Sequence, residues 1–285
     1  MDDPTKGHAT RVYAADPLLA GQDELIVKRG EELLEVPDAI GLAAVDRLHP
    51  DTLPACWSPL VVHRLRARAA GPDPEAALGA LLDRWLALPR GGEPGQALSV
   101  LWPSRDTTPV RALAVRGFAP ITSLAVRGVR PGTGVGEFAV RPARADDVEV
   151  VAGMYERLVA YDAQWGWVTM RASTRERLRE SVEAEVLPLN WCWVAEVDGR
   201  AAGCVIVEPP GRSGWISHAV NEAPAAYLGV MYVESWARGR GVGAALTGVA
   251  HGEAGARGCR SCCCTMPCRT RSRRRSGHGE ATGRS

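Results

Sequence analysis

The sequence predicts an α/β, or layered α+β, fold: a mixed central sheet flanked by helices, arranged as two modules. Three observations point there. Short apolar runs of strand length alternate with stretches whose apolar residues recur at helical spacing. The segment RPGTGVG, residues 130–136, lacks apolar periodicity and divides the 285-residue chain. Residues 227–246 pass from an apolar strand through a glycine-rich turn into a helix start. The expected division is a first module over 1–130, a linker over 131–136, a second module over 137–256, and an Arg/Cys-rich tail over 257–285.

In the first half, residues 73–88 read as a helix, 97–102 as a strand, 107–116 as a helix ending at Gly117, and 121–127 as a strand. The second half is clearer. Residues 138–141 read as a strand. Asp146 or Asp147 caps a helix to about residue 161, with Val148, Val151, Ala152, Tyr155, Leu158 and Val159 on one face. Residues 174–187 repeat the pattern until Pro188 ends it. Residues 191–197 and 201–208 are strands joined at Asp198-Gly199, a hairpin signal. Residues 227–233 form a continuous apolar strand, and 241–255 a helix of small residues.

Composition narrows the function classes. Apolar residues make up 46 % and charged residues 24 %, the balance of a globular chain. No apolar run reaches the roughly 18 residues that a membrane span needs, and MDDPTKGHAT is not a secretory leader. A cytoplasmic, non-membrane protein is expected. The net charge of +1 conceals an asymmetry: residues 257–285 hold eight arginines and one acid, Glu280. Five of the eight cysteines, Cys259, Cys262, Cys263, Cys264 and Cys268, fall in the same stretch.

The strongest signal is YLGVMYVESWARGRGVGAAL, Tyr227 to Leu246. Its glycines let the backbone bend sharply and approach a ligand closely. The exposed N–H groups of a helix start, with roughly +0.5 charge from the macrodipole, suit a pyrophosphate. Arg238 and Arg240 add charge to the same loop. The spacing fits neither a dinucleotide fingerprint nor a Walker loop. A glycine-rich turn with exposed arginines and no ligand is the competing reading, set aside because the strand before, the spacing and the helix after all agree.

This segment resembles motif A of the GNAT superfamily of N-acetyltransferases, V-x-P-x-x-R-G-x-G-x-G/A, with Ser235 in place of the proline. The order of elements before it is similar too. The resemblance implies an acetyl-CoA-dependent N-acetyltransferase of two GNAT-like modules, the C-terminal one lacking its last strands. It implies that the amides of Arg238, Gly239, Arg240, Gly241, Val242, Gly243 and Ala244 hold the pyrophosphate. Met231, Tyr232 and Val233 would line the pantetheine arm, the backbone of Met231 and Val233 pairing with it like a further strand. The acceptor would be a small-molecule or peptide amine; nucleic acid is not favoured, and the oligomeric state is not readable. A lysine-type amine must lose a proton at a cost of roughly 4–5 kcal/mol at pH 7. The strand carries no acid to take it, and Glu208, Glu222, Glu234 and His218 reach the site only through loop geometry, so no catalytic residue is assigned. A non-catalytic CoA-binding or regulatory module is the alternative.

Trp165, Trp167, Trp191 and Trp193 gather where relatives receive the acceptor, with core packing as the competing role. The tail is expected to hold no apolar strand. Read one base out of frame from Gly258, it permits V-P-V-L-L-L-H-H-A-L-P-N-P, then a helix and a G-Y-x-P ending. The Asn-to-Gly interval of that reading matches Asp106 to Gly117 in the first half. A frameshifted, inactive product is therefore a further expectation. Cys259-x-x-Cys262 with Cys268 as a zinc site, and Arg271–Arg275 as a nucleic-acid contact, are rival readings. The first half lacks a phosphate loop, since Gly71-Pro72-Asp73-Pro74 stands before its helix, and it reads as structural or substrate-shaping.

Overall fold

The computed structural model describes residues 3–91, 95–129, 139–217 and 219–267. The expected linker, His218, Cys268 and Arg271–Arg275 lie outside them.

Helix α1 (Pro4–Ala15) begins at Asp3, whose carboxylate accepts from Thr5 N at 2.9 Å. Strands β1 (Glu32–Val36), β2 (Ala39–Arg47) and β3 (Val61–Ala69) form an antiparallel meander that the sequence reading omits. β3 alternates with a period of two. Leu65, Ala67 and Ala69 face the core, while Arg64, Arg66 and Arg68 hold partners on the other side. Helix α2 (Pro74–Leu86) lays Leu78, Leu81, Leu82 and Trp85 against Leu34 and Leu65. Strand β4 (Gln96–Leu101) then pairs parallel to β3, from Val61↔Gln96 to Arg66↔Leu101. Helix α3 is only Val110–Ala114, shorter than expected because Pro109 sits at its cap. β5 (Thr122–Gly128) follows.

The second half matches expectation closely up to β9. β6 (Ala139–Pro142) leads to α4 (Val148–Asp162) and α5 (Thr174–Ser181). The expected helix over 174–187 widens into a π turn at Val182–Val186 before Pro188, which has no N–H to continue it. β7 (Cys192–Val197) and β8 (Arg200–Glu208) meet at Asp198 and Gly199, both at positive φ as a two-residue hairpin turn requires. Then come the short α6 (Gly214–Ser217), β9 (Ala225–Val233), α7 (Val242–Ala256) and β10 (Ser261–Pro267).

β10 corrects the reading of the tail. The expectation that the second module ends without its next strand, and that 257–285 is aberrant or disordered throughout, fails for residues 257–267. SCCCTMP is a central strand, parallel to β9 and antiparallel to β5, with Cys262 and Cys263 buried. A thiol side chain packs as a small hydrophobe, so the cysteines serve as valines would. Among the described residues the sheets are β1-β2-β3-β4 and β5-β10-β9-β8-β7-β6. β5, from the first half, therefore supplies the outer strand of the second sheet.

Both halves share one order: three antiparallel strands, a helix, and a strand parallel to the third. In each, the third strand outruns its parallel partner and opens a wedge. In the first half α1 fills that wedge. His8 is fully buried, its ring 5.3 Å edge-on to Trp102, and its Nδ1 lies 3.5 Å from the amide of Ala69 at the end of β3. Arg11 grips the buried Asp106 bidentately, 2.9 Å at both oxygens. At the N-terminus of α2, the carboxylate of Asp73 already accepts from Ala76 N at 2.9 Å. Both the wedge and the helix N-terminus of the first half are thus occupied by the chain itself.

The His8 cluster sets a pH dependence. Nε2 lies 3.3 Å from Gln22 Oε1, so that nitrogen carries the hydrogen and Nδ1 accepts from Arg11 and Ala69. Burial, with Arg68 and Arg11 nearby, outweighs the Gln22 hydrogen bond and the Asp106 charge and lowers the His8 pKa to about 4. A base whose folded pKa is depressed favours folding above the ordinary value near 6.5 and loses that contribution as pH falls toward 4. Unfolding in urea at about pH 7 and pH 4.5 should show His8→Gln lacking roughly 2–3 kcal/mol of the acid-induced loss seen in the parent. Equal losses in both proteins would refute this role. No helix among the described residues is long and apolar enough to cross a membrane.

Candidate active site

Among the described residues, the second wedge lies open between β9 and β10. Pairing runs from Ser261↔Ala225 to Cys264↔Leu228 and stops, while β9 continues to Val233. Pairing of β9 with β8 shifts at that point, from Ile206↔Val230 to Val207↔Leu228, which leaves Gly229 as a bulge at the wedge apex. A side chain there would meet the Tyr227 ring at 3.3 Å and Glu208 Oε1 at 3.9 Å.

Beyond the bulge, backbone groups alternate in direction. Glu234 N donates to Ala202 O at 2.8 Å, toward β8. Tyr232 therefore faces β8 as well, and Met231 and Val233 turn their N–H and C=O to the open edge. Arg238 Nε already donates to Val233 O at 3.0 Å, and its guanidinium lies 5.7 Å from the Tyr232 ring. Arg238 is thus folded back onto the strand, so its side chain braces the loop. The Met231 side chain is 38 % exposed, and its sulfur accepts from Thr247 at 3.4 Å.

The glycine run then turns into α7. Gly239 and Gly241 have φ of 79° and 89°, and Gly239 has no atom within 4 Å of where a Cβ would stand. Both the left-handed turn and the open space above it suit a ligand. The first intrahelical donor is Ala245 N, to Gly241 O at 3.0 Å. The amides of Val242, Gly243 and Ala244 precede it and have no carbonyl within the helix to bond. The Val242 side chain is buried with Leu246 against the sheet, which fixes the orientation of that turn. Gly239, Arg240, Gly241 and Ala244 are exposed.

Among the carboxylates singled out in the sequence, one reaches the apex. Glu234 pairs with Arg157 at 2.6 Å and Glu222 lies 3.7 Å from Arg260, both away from Gly229. Glu208, at the end of β8, is half-buried, accepts from the Trp215 side chain, and is raised above the usual carboxylate range by burial. Trp215 meets Tyr227 edge-on at 4.8 Å. The Tyr227 hydroxyl lies 2.6 Å from Thr265 Oγ1, bridging β9 and β10, and burial raises its pKa. The first half contributes Trp57, whose Nε1 donates to the Tyr155 hydroxyl at 3.1 Å. Trp191 and Trp193 are core residues beneath α7, with Arg257 at 4.6 Å and 5.7 Å. Trp167 packs on the α4 core, and Trp165 is 46 % exposed. Among the described residues no cluster of three His, Cys, Asp or Glu could hold a metal.

Residues 160–275 match the acetyltransferase (GNAT) family model. That stretch carries the likeness to the GNAT family. It takes in α5, β7 to β10 and the glycine loop. Over the whole chain, the fold is similar to that of a GCN5-related N-acetyltransferase from Sphaerobacter thermophilus, with TM-score 0.52, 15 % identity, and coverage of 95 % of this chain and 86 % of that one. That likeness extends to both halves. Partial likenesses include a GCN5-related N-acetyltransferase from Ralstonia eutropha, at 24 % identity, TM-score 0.33, and 45 % and 82 % coverage. Another is an acetyltransferase from Clostridium acetobutylicum solved with acetyl-CoA, at 15 % identity, TM-score 0.35, and 46 % and 81 % coverage. No curated protein sequence matches the chain.

The bulge, the Thr265 bridge and the Trp57 contribution have no local sequence signal. Each depends on strand register or on packing between the halves.

Proposed function

We propose that this chain transfers the acetyl group of acetyl-CoA to a primary amine, using the second wedge alone. The observation that carries the reading is the open edge of β9 running directly into the exposed amides at the start of α7. An extended arm can hydrogen-bond to Met231 and Val233 beside Tyr232, and a diphosphate can sit over Gly239, Arg240, Gly241, Val242, Gly243 and Ala244. The space over Gly239 and the edge of β9 left unpaired by β10 beyond Leu228 support this reading, with the Arg238 side chain, now on Val233 O, lying beside the arm's path. Bound acetyl-CoA supplies an activated thioester. The protein holds it straight, keeps the carbonyl near the Gly229 bulge, and presents the amine.

Isothermal titration with acetyl-CoA should give one site per chain, because α1 and Asp73 occupy the equivalent places in the first half. Thiol release with a panel of amines should then follow. Two sites per chain would contradict the assignment of the first half. Binding without turnover of any amine would favour a regulatory CoA-binding module instead.

A further inference from the structure

Glu208 stands where, among the described residues, a carboxylate, an aromatic wall and the wedge apex meet. Its Oε1 is 3.9 Å from the Cβ position of Gly229, at the bulge where β10 leaves β9. Trp215, 52 % exposed, packs against Tyr227 on one side of it. Behind it, the Tyr155 hydroxyl accepts from Trp57 Nε1 at 3.1 Å and ties the first half's Cys56–Trp57 turn to the α4 core. The exposed Trp215 ring beside the half-buried Glu208 offers an aromatic face and an anion to a cation carried on an apolar body.

We propose that Glu208 receives the acceptor's ammonium group and takes its proton, and that Trp215 and Tyr227 select an amine borne on a flat apolar or aromatic body. This inference rests on the acetyl-CoA reading of the neighbouring wedge. The step balances simply. The ammonium gives one proton to the Glu208 carboxylate, and the neutral nitrogen attacks the thioester carbonyl carbon. A C–N bond forms, the C–S bond breaks, and the nitrogen's second proton goes to the departing thiolate. Glu208 later returns its proton to solvent. Arg212 and Glu185, the charged groups nearest to Glu208, pair with each other at the rim. Burial favours the protonated acid, so Glu208 becomes a competent base only above the ordinary carboxylate range.

The test uses the full chain. Glu208→Gln should lower kcat with an aromatic amine such as tryptamine by roughly a hundredfold or more, and should erase the acidic limb of the pH–rate profile. Glu208→Asp should restore part of the rate, and acetyl-CoA affinity should stay at the parental value in both. Trp215→Ala should raise KM for tryptamine by about tenfold with little change in kcat. Full turnover by Glu208→Gln, an unaltered acidic limb, or faster acetylation of a polyhydroxylated amine such as glucosamine than of tryptamine would each overturn the proposal. Loss of acetyl-CoA binding in the parent itself would instead strike the underlying reading of the wedge.

Discussion

Gly243→Asp is expected to cut acetyl-CoA affinity by about a hundredfold, near 3 kcal/mol, while leaving the fold intact. The substitution is chosen on steric and electrostatic grounds together. A Cβ at Gly243 would meet Val233 Cγ2 at 3.7 Å, an ordinary contact, and the residue already has helical backbone geometry. An aspartate in the first turn of α7 even suits the positive end of the helix. Its carboxylate, however, would stand where the amides of Val242, Gly243 and Ala244 point, and two anions cannot share that site cheaply. The first half shows the same exclusion in natural form, with Asp73 seated on the amide of Ala76. Gly241→Asp is the poorer probe, because φ is 89° there and backbone strain would add its own loss. Titration of acetyl-CoA into the variant, beside a thermal melt, decides the matter. Parental affinity in a folded Gly243→Asp protein would mean that the start of α7 does not hold the diphosphate.

Much of the second half is legible because its apolar residues are local and periodic. The α4 face, the Asp198-Gly199 hairpin and the β9-to-α7 transition all follow from neighbours in sequence. What escapes reading has a physical cause in each case. α1 buries Thr5 and His8 along with Ala9 and Val12, so a polar contact face hides its helical stripe. The β1–β3 meander does alternate, most plainly in RLRARA of β3. Arginines in every second place suggest a solvated segment until Arg66 and Arg68 are seen tying down the chain of residues 21–31. β10 is flanked by strands on both sides and so lacks the alternation of a half-exposed strand. Its cysteines invite a metal or redox reading before a packing one. The shifted frame would write leucines over the same stretch, so an apolar strand stands there in either frame. Glu208 is visible in the sequence as a carboxylate at a strand end, but its distance from Gly229 depends on a register shift between β8 and β9, which no local pattern encodes.

The other large effect concerns the strand that the composition disguises. Cys263→Asp should abolish cooperative folding of the second sheet. Cys263 has no exposed surface, lies between Val126 of β5 and Tyr227 of β9 in register, and packs with Ile216, Val220 and Ala225. No cation faces it within that cluster. An unpaired carboxylate buried there costs several kcal/mol, comparable to the 5–15 kcal/mol that holds an ordinary domain together. The same position should tolerate valine, which is β-branched and close in volume, at under about 1.5 kcal/mol. Thr265→Asp, two residues on and exposed, should cost far less in stability, because its carboxylate stays in water. The contrast matters because a charge scan separates a packed strand from an adventitious tail: only the former distinguishes position 263 from position 265. Urea unfolding followed by tryptophan fluorescence measures it directly, with Trp191 and Trp193 reporting from the core of the same sheet. Should Cys263→Asp unfold at the same urea concentration as Thr265→Asp, β10 contributes nothing to the fold, and the wedge loses one of its two walls.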